Sequence, residues 1–494
     1  MNLTQRFRPS LALLTDMYQI AMAQGYWKNK MHEQEAVFHL YFRKNPFEGG
    51  YTISAGLEDA IDLLQQFKFE QEDIAYLQSL TGSKEQPLFD EGFLEYLKNM
   101  SFECDVEAVP EGTLVFPNEP LLRIKGPILQ CQLLETPLLT IINFQSLIAT
   151  KAARIVDAAQ GDRVIEFGMR RAQGPDGALS ATRAAFIGGV VGTSNVLAGH
   201  LYGIPVKGTH AHSWIMSFKE EQTAFAAYAQ VFPHDSIFLV DTYNTLEGIR
   251  KAVEVAKQMR ENGSELKGIR LDSGDLAYLS IEGRKILDEA GFPEVSILAS
   301  NDLDEYLIQS LKTQGARIDT WGIGTKLVTA FDQPALGGVY KLAALKDAEG
   351  NWEFKVKLSE QLVKVSTPGV LQVRRFYKNG AIVGDMIYSE PLGVETPATM
   401  VHPNDPTQRK IFAADCTSED LLVPIFQKGQ KVYSSPSLTE IQNRTKQQLG
   451  LLHETYRRFL NPHAYKVGLE AKLHDQKMNL VIHLRKTEQQ KNHD

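Results

Sequence analysis

The chain has 494 residues, more than the roughly 250 to 300 at which a single hydrophobic core stops growing, so we expect two or more domains. Hydrophobic residues make up 43% and charged residues 23%, which is the composition of an ordinary folded protein. A formal net charge of -8 argues against a general binder of nucleic acids or anionic membranes, because such proteins need a basic surface. The three scattered cysteines are too few for a disulfide framework and favour a reducing, cytoplasmic compartment.

We expect neither a targeting signal nor a membrane span. Residues 1–10 lead into the amphipathic run TDMYQIAMAQGY, where a secretory signal needs an apolar core. The most apolar stretch, residues 137–149, is short and interrupted by polar side chains, so it does not predict a transmembrane helix. Disorder is expected only in the polar tail, residues 486–494.

Residues 1–150 are predicted to form a mixed α+β domain. Apolar residues recur at helical spacing over residues 13–25 and again over 56–67. Residues 104–127 consist of short apolar runs separated by Pro and Gly, which is the pattern of short strands.

From about residue 161 the sequence repeats one unit, in which a short apolar strand ends in a polar cluster and a segment of helix length follows. Six such strand ends are visible, at residues 164–171, 206–212, 237–244, 268–275, 296–302 and 317–325. Helices are predicted between them, for example over 246–263 and 276–291, which each close on a glycine. Alternating strands and helices predict a parallel sheet over residues 151–346.

Periodicity does not decide between a closed barrel and an open sheet. In both architectures ligands bind at the carboxyl ends of the strands. Nearly every strand end here carries reactive side chains, which favours a ring of loops around one mouth. We therefore expect an irregular TIM-like α/β barrel. Residues 347–494 are predicted to form a mixed α/β C-terminal extension, with hairpin strands at 362–387 and a polar helical segment at 439–460.

One strand end carries a charged pair. In GIRLDSGD (268–275) the period of two places Arg270 and Asp272 on one face of the strand, with Ile269 and Leu271 on the other. An isolated pair of this kind is best interpreted as a structural ion pair. Five other polar strand ends favour a position at the mouth of a binding site.

Two further strand ends suit a phosphorylated ligand. Asp241 follows an apolar run and can hold a ribose hydroxyl or Mg²⁺, although its position, taken alone, favours a cap for the next helix. GIGTK (322–326) allows backbone amides to approach a phosphate closely. It is not a Walker loop, but phosphate sites in barrels are frequently built by the last strand loops.

The segment GTHAHSW offers two histidines, His210 and His212, at a spacing of two. In an extended segment they share a face, so geometry does not choose between them. A zinc site is possible, but no complete ligand set can be identified. A general base, a phosphate acceptor and a structural histidine remain open.

The strand ends together mix cations with carboxylates. Cations bind phosphate, and carboxylates bind hydroxyls or Mg²⁺, so the mixture suits a phosphorylated sugar with a metal. The cations are Arg170, Arg171, Arg270, Lys326 and Lys341, and the carboxylates are Glu166, Asp241, Asp272 and Asp275.

Several long strings between residues 13 and 343 closely resemble the nicotinate phosphoribosyltransferase family. In chain order they are LLTDMYQIAMAQGYW, EFGMRRAQGPDGALSATRAAFIGG, GTSNVLAGHLYGIPVKGTHAHSW, DTYNT, GIRLDSGDL, ASNDLDE, GIGTKLVT and GGVYKLA. Many motifs in order are far more specific than any one of them. Beyond about residue 350 the resemblance is weaker.

The resemblance implies a type II phosphoribosyltransferase with an irregular α/β barrel, an N-terminal α+β domain and a homodimer with sites at the subunit interface. The implied reaction converts nicotinate and phosphoribosyl pyrophosphate to nicotinate mononucleotide and pyrophosphate in NAD biosynthesis. Mg²⁺ is the implied cofactor and ATP the co-substrate. His212 is similar to the family's phosphorylated histidine, and Tyr18 to an aromatic residue that stacks on the pyridine ring from the neighbouring subunit. Arg270 and Asp272 are the other expected catalytic residues.

The resemblance also implies substrate contacts. Thr209 and Arg270 match positions around nicotinate. The positions around the ribosyl phosphate and pyrophosphate are Arg170, Asp241, Asn301, Gly324, Thr325 and Lys341. The Mg²⁺ ligands stay open, with Asp241 and Asp272 as the candidates.

Other functions fit the sequence less well. Nicotinamide phosphoribosyltransferases resemble a pattern with Asp after the GT, where this chain has His210, and a neutral or cationic side chain suits a carboxylate better. Quinolinate phosphoribosyltransferases lack a GTHAHSW-type segment. A silent scaffold has no reason to keep His212, Arg270 and Asp272, and an aldolase needs a Schiff-base lysine that no predicted strand supplies.

Overall fold

The computed structural model describes residues 10–359, 365–403 and 405–491. These form two compact units. One comprises residues up to 146 with 335–437 and 446 onward, and the other comprises 147–334 with 438–445. Three predictions concern residues outside the described ranges: that residues 1–9 carry no targeting signal, that 362–364 belong to a hairpin, and that 492–494 are disordered.

The first unit begins with the predicted mixture of helices and strands. Its elements are α1 (Met17–Lys28), β1 (Glu35–Tyr41), β2 (Thr52–Ile53), α2 (Leu57–Gln65), α3 (Gln71–Ser79), α4 (Glu91–Asn99), β3 (Asp105–Ala108), β4 (Leu114–Val115), β5 (Leu122–Pro127) and α5 (Ile128–Leu133). The helices predicted over 13–25 and 56–67 correspond to α1 and α2, and residues 104–127 form three short strands. The long helix α6 (Glu135–Ala159) then leads from the first unit into the second.

The second unit alternates strands and helices. Its elements are β6 (Arg163–Glu166), α7 (Gly174–Ile187), β7 (Gly192–Thr193), α8 (Val196–Tyr202), α9 (His212–Met216), α10 (Glu221–Val231), β8 (Ile237–Leu239), α11 (Thr245–Glu261), β9 (Gly268–Leu271), α12 (Leu276–Glu289), β10 (Ser296–Ala299), α13 (Glu305–Thr313), β11 (Thr320–Ile323) and α14 (Thr325–Val328). A short 3-10 turn at Met169–Arg171 follows β6.

The strands β6 to β11 form a six-stranded sheet in the order β7-β6-β11-β10-β9-β8, and every pairing is parallel. The predicted parallel sheet is thus confirmed. Its strands are buried on both faces, as sheets covered by helices usually are. The hydrogen-bonded order ends at β7 on one side and β8 on the other, so among the described residues the sheet is a curled, open series of strands.

One predicted strand is wrong. Residues 206–212 were expected to form a strand, but Val206 makes only an isolated bridge to Thr193, and α9 begins at His212. The strand β7, two residues long, lies before α8 and was not predicted, because two residues are too few to show a period of two.

The chain then returns to the first unit. The elements are β12 (Val339–Lys346), β13 (Trp352–Phe354), β14 (Leu371–Lys378), β15 (Ala381–Ser389), β16 (Thr399–His402), β17 (Asp405–Ile411), β18 (Thr417–Asp420), β19 (Val423–Gln427), β20 (Gln430–Lys431), α15 (Leu438–Leu451), α16 (Glu454–Arg457), β21 (Val467–Glu470) and α17 (Ala471–Lys491). The predicted hairpin is β14 and β15, joined at Asn379 and Gly380, whose positive φ angles suit a tight hairpin turn. Residues 486–491, predicted to be disordered, continue α17.

Strand pairing joins distant parts of the chain in the first unit. One sheet has the order β13-β12-β1-β5-β3-β19-β20, and a second has the order β17-β16-β21-β15-β14-β18. The segment from residue 335 to 346, expected in the barrel, therefore pairs with β1 through β12, and β19 of the predicted extension pairs with β3. Of the described helices, none combines the length and the apolar character that crossing a bilayer requires.

Candidate active site

A cavity of about 210 Å³ opens at the carboxyl ends of β6, β9, β10 and β11 in the second unit. Seven of the predicted residues line it: Arg170, Arg171, Arg270, Asp272, Asn301, Gly324 and Thr325. Phe167, Ser300 and Asp302 line it as well. The parallel sheet brings these residues together because the carboxyl ends of its strands meet at one edge.

A glycine makes this edge of the sheet compact. A Cβ atom on Gly322 would lie 2.6 Å from the ring of Phe167, so only glycine lets β11 pass this close to the segment after β6. The Phe167 ring in turn lies 5.7 Å from Cζ of Arg270, within cation–π range. The ring therefore supports the guanidinium from one side.

Arg270 is held by three hydrogen bonds from its guanidinium. Its Nε donates to Ser300 Oγ at 2.8 Å, and its two terminal nitrogens donate to Thr209 Oγ1 at 3.1 Å and to Asp272 Oδ1 at 2.7 Å. Because a guanidinium carries five N–H donors, two remain for a ligand. Arg270 thus has a fixed orientation and spare capacity to bind an anion.

Asp272 presents its two oxygens to different partners. Oδ1 accepts from Arg270 and from the hydroxyl of Ser300, whereas Oδ2 lies 3.7 Å from His212 Nε2. Partial burial raises the pKa of Asp272, but the bonds from Ser300 and Arg270 and the charge of Arg270 outweigh it and leave the pKa below its ordinary value. The carboxylate is therefore ionised at neutral pH.

Asp241 does not cap a helix. Asn244 caps α11 instead, accepting from the Glu247 N–H at 3.0 Å. One oxygen of Asp241 accepts from the Asp272 N–H at 2.9 Å and from Ser273 Oγ at 2.6 Å. Its other oxygen is buried without a hydrogen-bond partner among the described residues. A buried carboxylate oxygen of this kind is costly unless a ligand satisfies it.

The two histidines of GTHAHSW occupy different surroundings, contrary to the expectation of a shared face. His210 is buried, and its Nε2 accepts from the Leu239 N–H at 3.2 Å. Burial lowers the pKa of His210 to about 4, so it is neutral. His212 begins α9, is 40% exposed, and places Nδ1 3.1 Å from Thr242 Oγ1.

The position of His210 also changes one argument from the sequence. Its ring is enclosed by Phe225, Tyr228 and Phe238 and does not line the cavity beside Arg270. The residue after the GT therefore does not support a choice of nicotinate over nicotinamide by direct contact. Arg270 is the group with N–H donors available for a carboxylate, whereas the Thr209 hydroxyl accepts from Arg270 and donates to the His210 carbonyl at 3.1 Å.

Three charged residues of the strand ends have structural roles. Glu166 is buried and accepts from Thr182 Oγ1 at 3.0 Å and Thr193 Oγ1 at 2.5 Å. Asp275 caps α12, and Lys326 pairs with Asp304 at 2.5 Å. Gly324 and Thr325 of the GIGTK segment line the cavity, but the lysine next to them does not.

Tyr18 and Lys341 belong to the first unit. Tyr18 lies in the first turn of α1 with 49% of its surface exposed. Lys341 lies on β12, where its Nζ donates to the Tyr340 carbonyl at 2.8 Å. Their expected substrate contacts stay predictions.

Ser300 and Thr242 were missed from the sequence. Both lie inside strings that resemble the family, ASNDLDE and DTYNT, and each directly adjoins a residue that was chosen. A hydroxyl carries no charge and gives no distinct pattern, so only the fold shows that Ser300 joins Arg270 to Asp272 and that Thr242 adjoins His212. The described residues contain no group of three or more His, Cys, Asp or Glu arranged to hold a metal ion.

Comparison with known proteins identifies the family. The model described as the nicotinate phosphoribosyltransferase family matches residues 163–353, and those of its N-terminal and C-terminal domains match 13–143 and 371–477. The nicotinate phosphoribosyltransferase of Bacillus subtilis (strain 168) is 45% identical over 477 residues, 96% of this chain and 95% of that protein. That of Dictyostelium discoideum is 39% identical over 529 residues, 95% of this chain and 88% of that protein. The crystal structure of human nicotinic acid phosphoribosyltransferase, 32% identical, matches with a TM-score of 0.81 over 94% of this chain and 99% of that chain. The chain therefore belongs to the nicotinate phosphoribosyltransferase family.

Proposed function

We propose that the protein transfers the 5-phosphoribosyl group of phosphoribosyl pyrophosphate to nicotinate, forming nicotinate mononucleotide and pyrophosphate in NAD biosynthesis. The observation that carries the proposal is the cavity where Arg170, Arg171 and Arg270 lie beside Asp272. Arginines suit the phosphates and the nicotinate carboxylate, and the carboxylates suit ribose hydroxyls. Membership of the family agrees with this chemistry.

The reaction makes few demands for proton transfer. Departure of pyrophosphate from C1 leaves an oxocarbenium-like ribose, and the pyridine nitrogen attacks it with no proton to remove. The main task of the protein is therefore to stabilise the negative charge of the leaving group and to hold both substrates in line. Cationic side chains at the strand ends stabilise the leaving group. The guanidinium of Arg270, which is fixed by three hydrogen bonds, helps to hold the substrates in line.

The two aspartates fit a Mg²⁺ requirement. Asp241 has a buried oxygen without a hydrogen-bond partner among the described residues, and Asp272 is ionised. Mg²⁺ is usually held by one or two carboxylates together with substrate phosphates and water, so a larger cluster of protein ligands is not needed. When bound, Mg²⁺ would offset the charge of the pyrophosphate.

We further propose that ATP phosphorylates His212 and that hydrolysis of the phosphohistidine is coupled to product formation. His212 is exposed at the edge of the sheet, and a histidine is free for this task because the transfer needs no general base. Asp272 Oδ2 and Thr242 Oγ1 lie on opposite sides of its ring. Both groups are suited to fixing the orientation and tautomer of the imidazole.

Recognition of nicotinate is assigned to Arg270 and Thr209. The two are joined by a 3.1 Å hydrogen bond, and two N–H groups of Arg270 remain for the carboxylate. An amide in place of the carboxylate would lose the charge-assisted part of this contact. This supports nicotinate over nicotinamide as substrate.

The larger architecture is part of the proposal. We expect the six parallel strands to belong to an irregular α/β barrel, supported by the likeness to the human structure. We expect a cytoplasmic homodimer in which Tyr18 of one subunit stacks on the pyridine ring bound to the other. The exposed position of Tyr18 on α1 is compatible with a contact to a second copy.

Product analysis tests the proposed reaction. The protein is incubated with phosphoribosyl pyrophosphate, Mg²⁺ and ATP, with nicotinate in one arm and nicotinamide in the other. We expect nicotinate mononucleotide and ADP in the first arm and little nucleotide in the second. Arg270→Ala serves as the matched control for background. Equal use of both bases, or no mononucleotide at all, would reject the proposal.

A further inference from the structure

A serine at the carboxyl end of β10 lies between the two charged side chains of the candidate active site. In the parallel pair of β9 and β10, Ala299 pairs with Leu271, so the next residues on the two strands are Ser300 and Asp272. The Ser300 N–H donates to the Leu271 carbonyl at 2.9 Å, which fixes the backbone at this point. The side chain of Ser300 lines the cavity, and only 4% of the residue is exposed. The fold therefore places a buried hydroxyl between Arg270 and Asp272.

The hydroxyl of Ser300 completes a closed ring of three hydrogen bonds. Arg270 Nε donates to Ser300 Oγ at 2.8 Å, and Arg270 Nη2 donates to Asp272 Oδ1 at 2.7 Å. Because a guanidinium has only donors, Ser300 must accept from it, and the single hydroxyl hydrogen is left for Asp272 Oδ1. Both roles of the hydroxyl are thus determined by its two neighbours, and a methyl group at this position could not close the ring.

The ring leaves a defined pair of donors on Arg270. Nη1 has two hydrogens and gives one to Thr209, and Nη2 has two and gives one to Asp272. One N–H therefore remains on each terminal nitrogen, and with such a pair an arginine can bind both oxygens of a carboxylate. Because turning the planar group would break the ring, the bonds from Nε and Nη2 hold this pair in one orientation.

Among these partners of Arg270, Ser300 is the one that water replaces least readily. The side chain of Asp272 is 27% exposed and Thr209 is half-buried, whereas Ser300 is buried. Without the hydroxyl, the Nε–H would lose its partner in a place that water enters poorly, which is costly for a buried donor. The Phe167 ring, 5.7 Å from Cζ, supports one face of the guanidinium but does not resist rotation within its plane. The guanidinium would therefore turn, and its two free N–H groups would be misplaced.

We propose that Ser300 is a positioning residue for recognition of the carboxylate on the pyridine substrate. Its hydroxyl fixes the guanidinium of Arg270 so that the two remaining N–H groups bind the carboxylate together. The inference rests on the proposed function and deepens it, because it names the residue through which the same site distinguishes a carboxylate from a carboxamide. Ser300 acts through Arg270 and takes no part in the transfer itself.

Binding of nicotinate and of nicotinamide to the full chain, measured by calorimetry, tests the proposal. Ser300→Ala removes the hydroxyl without adding bulk. We expect it to raise the Kd for nicotinate about tenfold, as loss of a hydrogen bond to a charged group should, and to change the Kd for nicotinamide less than about threefold. Ser296→Ala, at the other end of β10, is the matched control, because its hydroxyl also accepts from an arginine, Arg163, at 3.1 Å. The control should change neither Kd.

A second pair of variants separates the hydroxyl from packing. A Cβ on Gly322 would lie 3.4 Å from the Cβ of Ser300, so the space beside this serine is limited. Ser300→Thr and Ser300→Val add similar bulk, but only Thr keeps the hydroxyl. Strain is thus common to both variants, and Ser300→Thr should bind nicotinate about tenfold more tightly than Ser300→Val. In turnover, Ser300→Ala should raise the KM for nicotinate about tenfold and change kcat less than about threefold.

The outcomes distinguish this proposal from the proposed reaction. The role of Ser300 is overturned by an unchanged Kd for nicotinate in Ser300→Ala, by an equal loss for both bases, or by a Thr variant that binds no better than the Val variant. Formation of nicotinate mononucleotide by the wild-type chain would leave the proposed reaction standing in each case. If the wild-type chain binds nicotinate but forms no mononucleotide, the reaction fails, and the two Kd values in Ser300→Ala still decide the role of Ser300. A wild-type chain that does not bind nicotinate overturns both.

Discussion

His212 Nε2 lies 3.7 Å from Asp272 Oδ2, and the other oxygen of the same carboxylate accepts from Arg270. One aspartate therefore connects the histidine proposed to accept phosphate with the arginine proposed to bind nicotinate. Such a connection gives a physical route by which phosphorylation of the histidine affects substrate binding, since charge added to the ring acts on a carboxylate already bonded to Arg270.

The proposed phosphorylation predicts different results for the two histidines. His212→Asn should abolish phosphoenzyme formation and ATP hydrolysis while leaving a slow transfer without ATP, since the cavity and its arginines remain. His210→Gln should keep phosphorylation, because His210 is buried and an amide oxygen can still accept from the Leu239 N–H. Phosphorylation of each histidine is measured by mass spectrometry under alkaline conditions, which preserve phosphohistidine. Label on His210, or an active enzyme with no label on either residue, would refute the ATP coupling.

Thr242 is predicted to position the ring of His212. Thr242→Val removes the hydroxyl 3.1 Å from Nδ1 with little change in volume, whereas Thr242→Ser keeps it. We expect Thr242→Val to slow phosphoenzyme formation about tenfold, which corresponds to the loss of one hydrogen bond of about 1.4 kcal/mol. Thr242→Ser should keep most of the rate. The KM for nicotinate should stay constant in both. A similar loss in Val and Ser would show that the hydroxyl has no positioning role.

Arg270→Ala should weaken nicotinate use far more than folding. The substitution removes the ligand-binding N–H groups, and loss of one partner of a buried charged pair costs about 2 to 5 kcal/mol of binding, or about thirtyfold and more in KM. Arg270→Lys should recover little, because an ammonium group cannot make the three bonds and still present two donors. Steady-state kinetics and Tm are measured together. Equal losses of activity and stability with unchanged nicotinate affinity would count against the assignment.

The sequence predicts the second unit well because its strands are short, local and separated by helices. Five of the six predicted strand ends, the helices α11 and α12, and the placement of Arg270 opposite Ile269 and Leu271 all depend on periodicities of two and 3.6 residues. The first unit is different. Its pairing of β12 with β1 and of β19 with β3 joins residues some three hundred apart, and no local pattern encodes that distance.

The residues of the site also differ in how well the sequence predicts them. Charged residues at strand ends, such as Arg270 and Asp272, can be found from the sequence because they interrupt apolar runs. The difference between His210 and His212 cannot, because it depends on Leu239 and Thr242 in other segments of the chain. The role of Asp241 depends on Asn244 capping the helix, and the sequence does not decide between these two capping residues, which lie three positions apart.

Tyr18 is predicted to act across a dimer interface. Tyr18→Ala and His212→Ala chains should each be inactive or nearly so, and their mixture should recover part of the activity, because one hybrid site holds both native residues. Differently tagged chains allow heterodimers to be isolated and assayed, with heterodimers of two Tyr18→Ala chains as the control. If verified heterodimers show no recovery, the site is not shared in this way.

Two buried histidines should make the fold sensitive to mild acid. Burial lowers the pKa of His39 to about 3 and that of His210 to about 4, and each Nε2 accepts from a backbone N–H, of Leu371 and of Leu239. In the unfolded chain each histidine has a pKa near 6.5. Between pH 6.5 and the lower pKa of the folded state, the unfolded chain therefore binds more protons than the folded chain. Stability is therefore full above pH 6.5 and falls as pH decreases, by about 1.4 kcal/mol per pH unit for each histidine. At pH 5 each should cost about 2 kcal/mol.

Substitution by Gln isolates this effect from the carboxylates. His39→Gln and His210→Gln keep an oxygen that can accept the backbone N–H but cannot be protonated in this range. The fall in Tm from pH 7 to pH 5 should be smaller in each variant than in the wild-type chain, even where the variant is less stable at pH 7. His453→Gln, on an exposed histidine that also accepts a local N–H, is the control and should keep the wild-type fall. If the fall in Tm from pH 7 to pH 5 is the same in the wild-type chain and in both His→Gln variants, the two histidines do not resist protonation in the folded state.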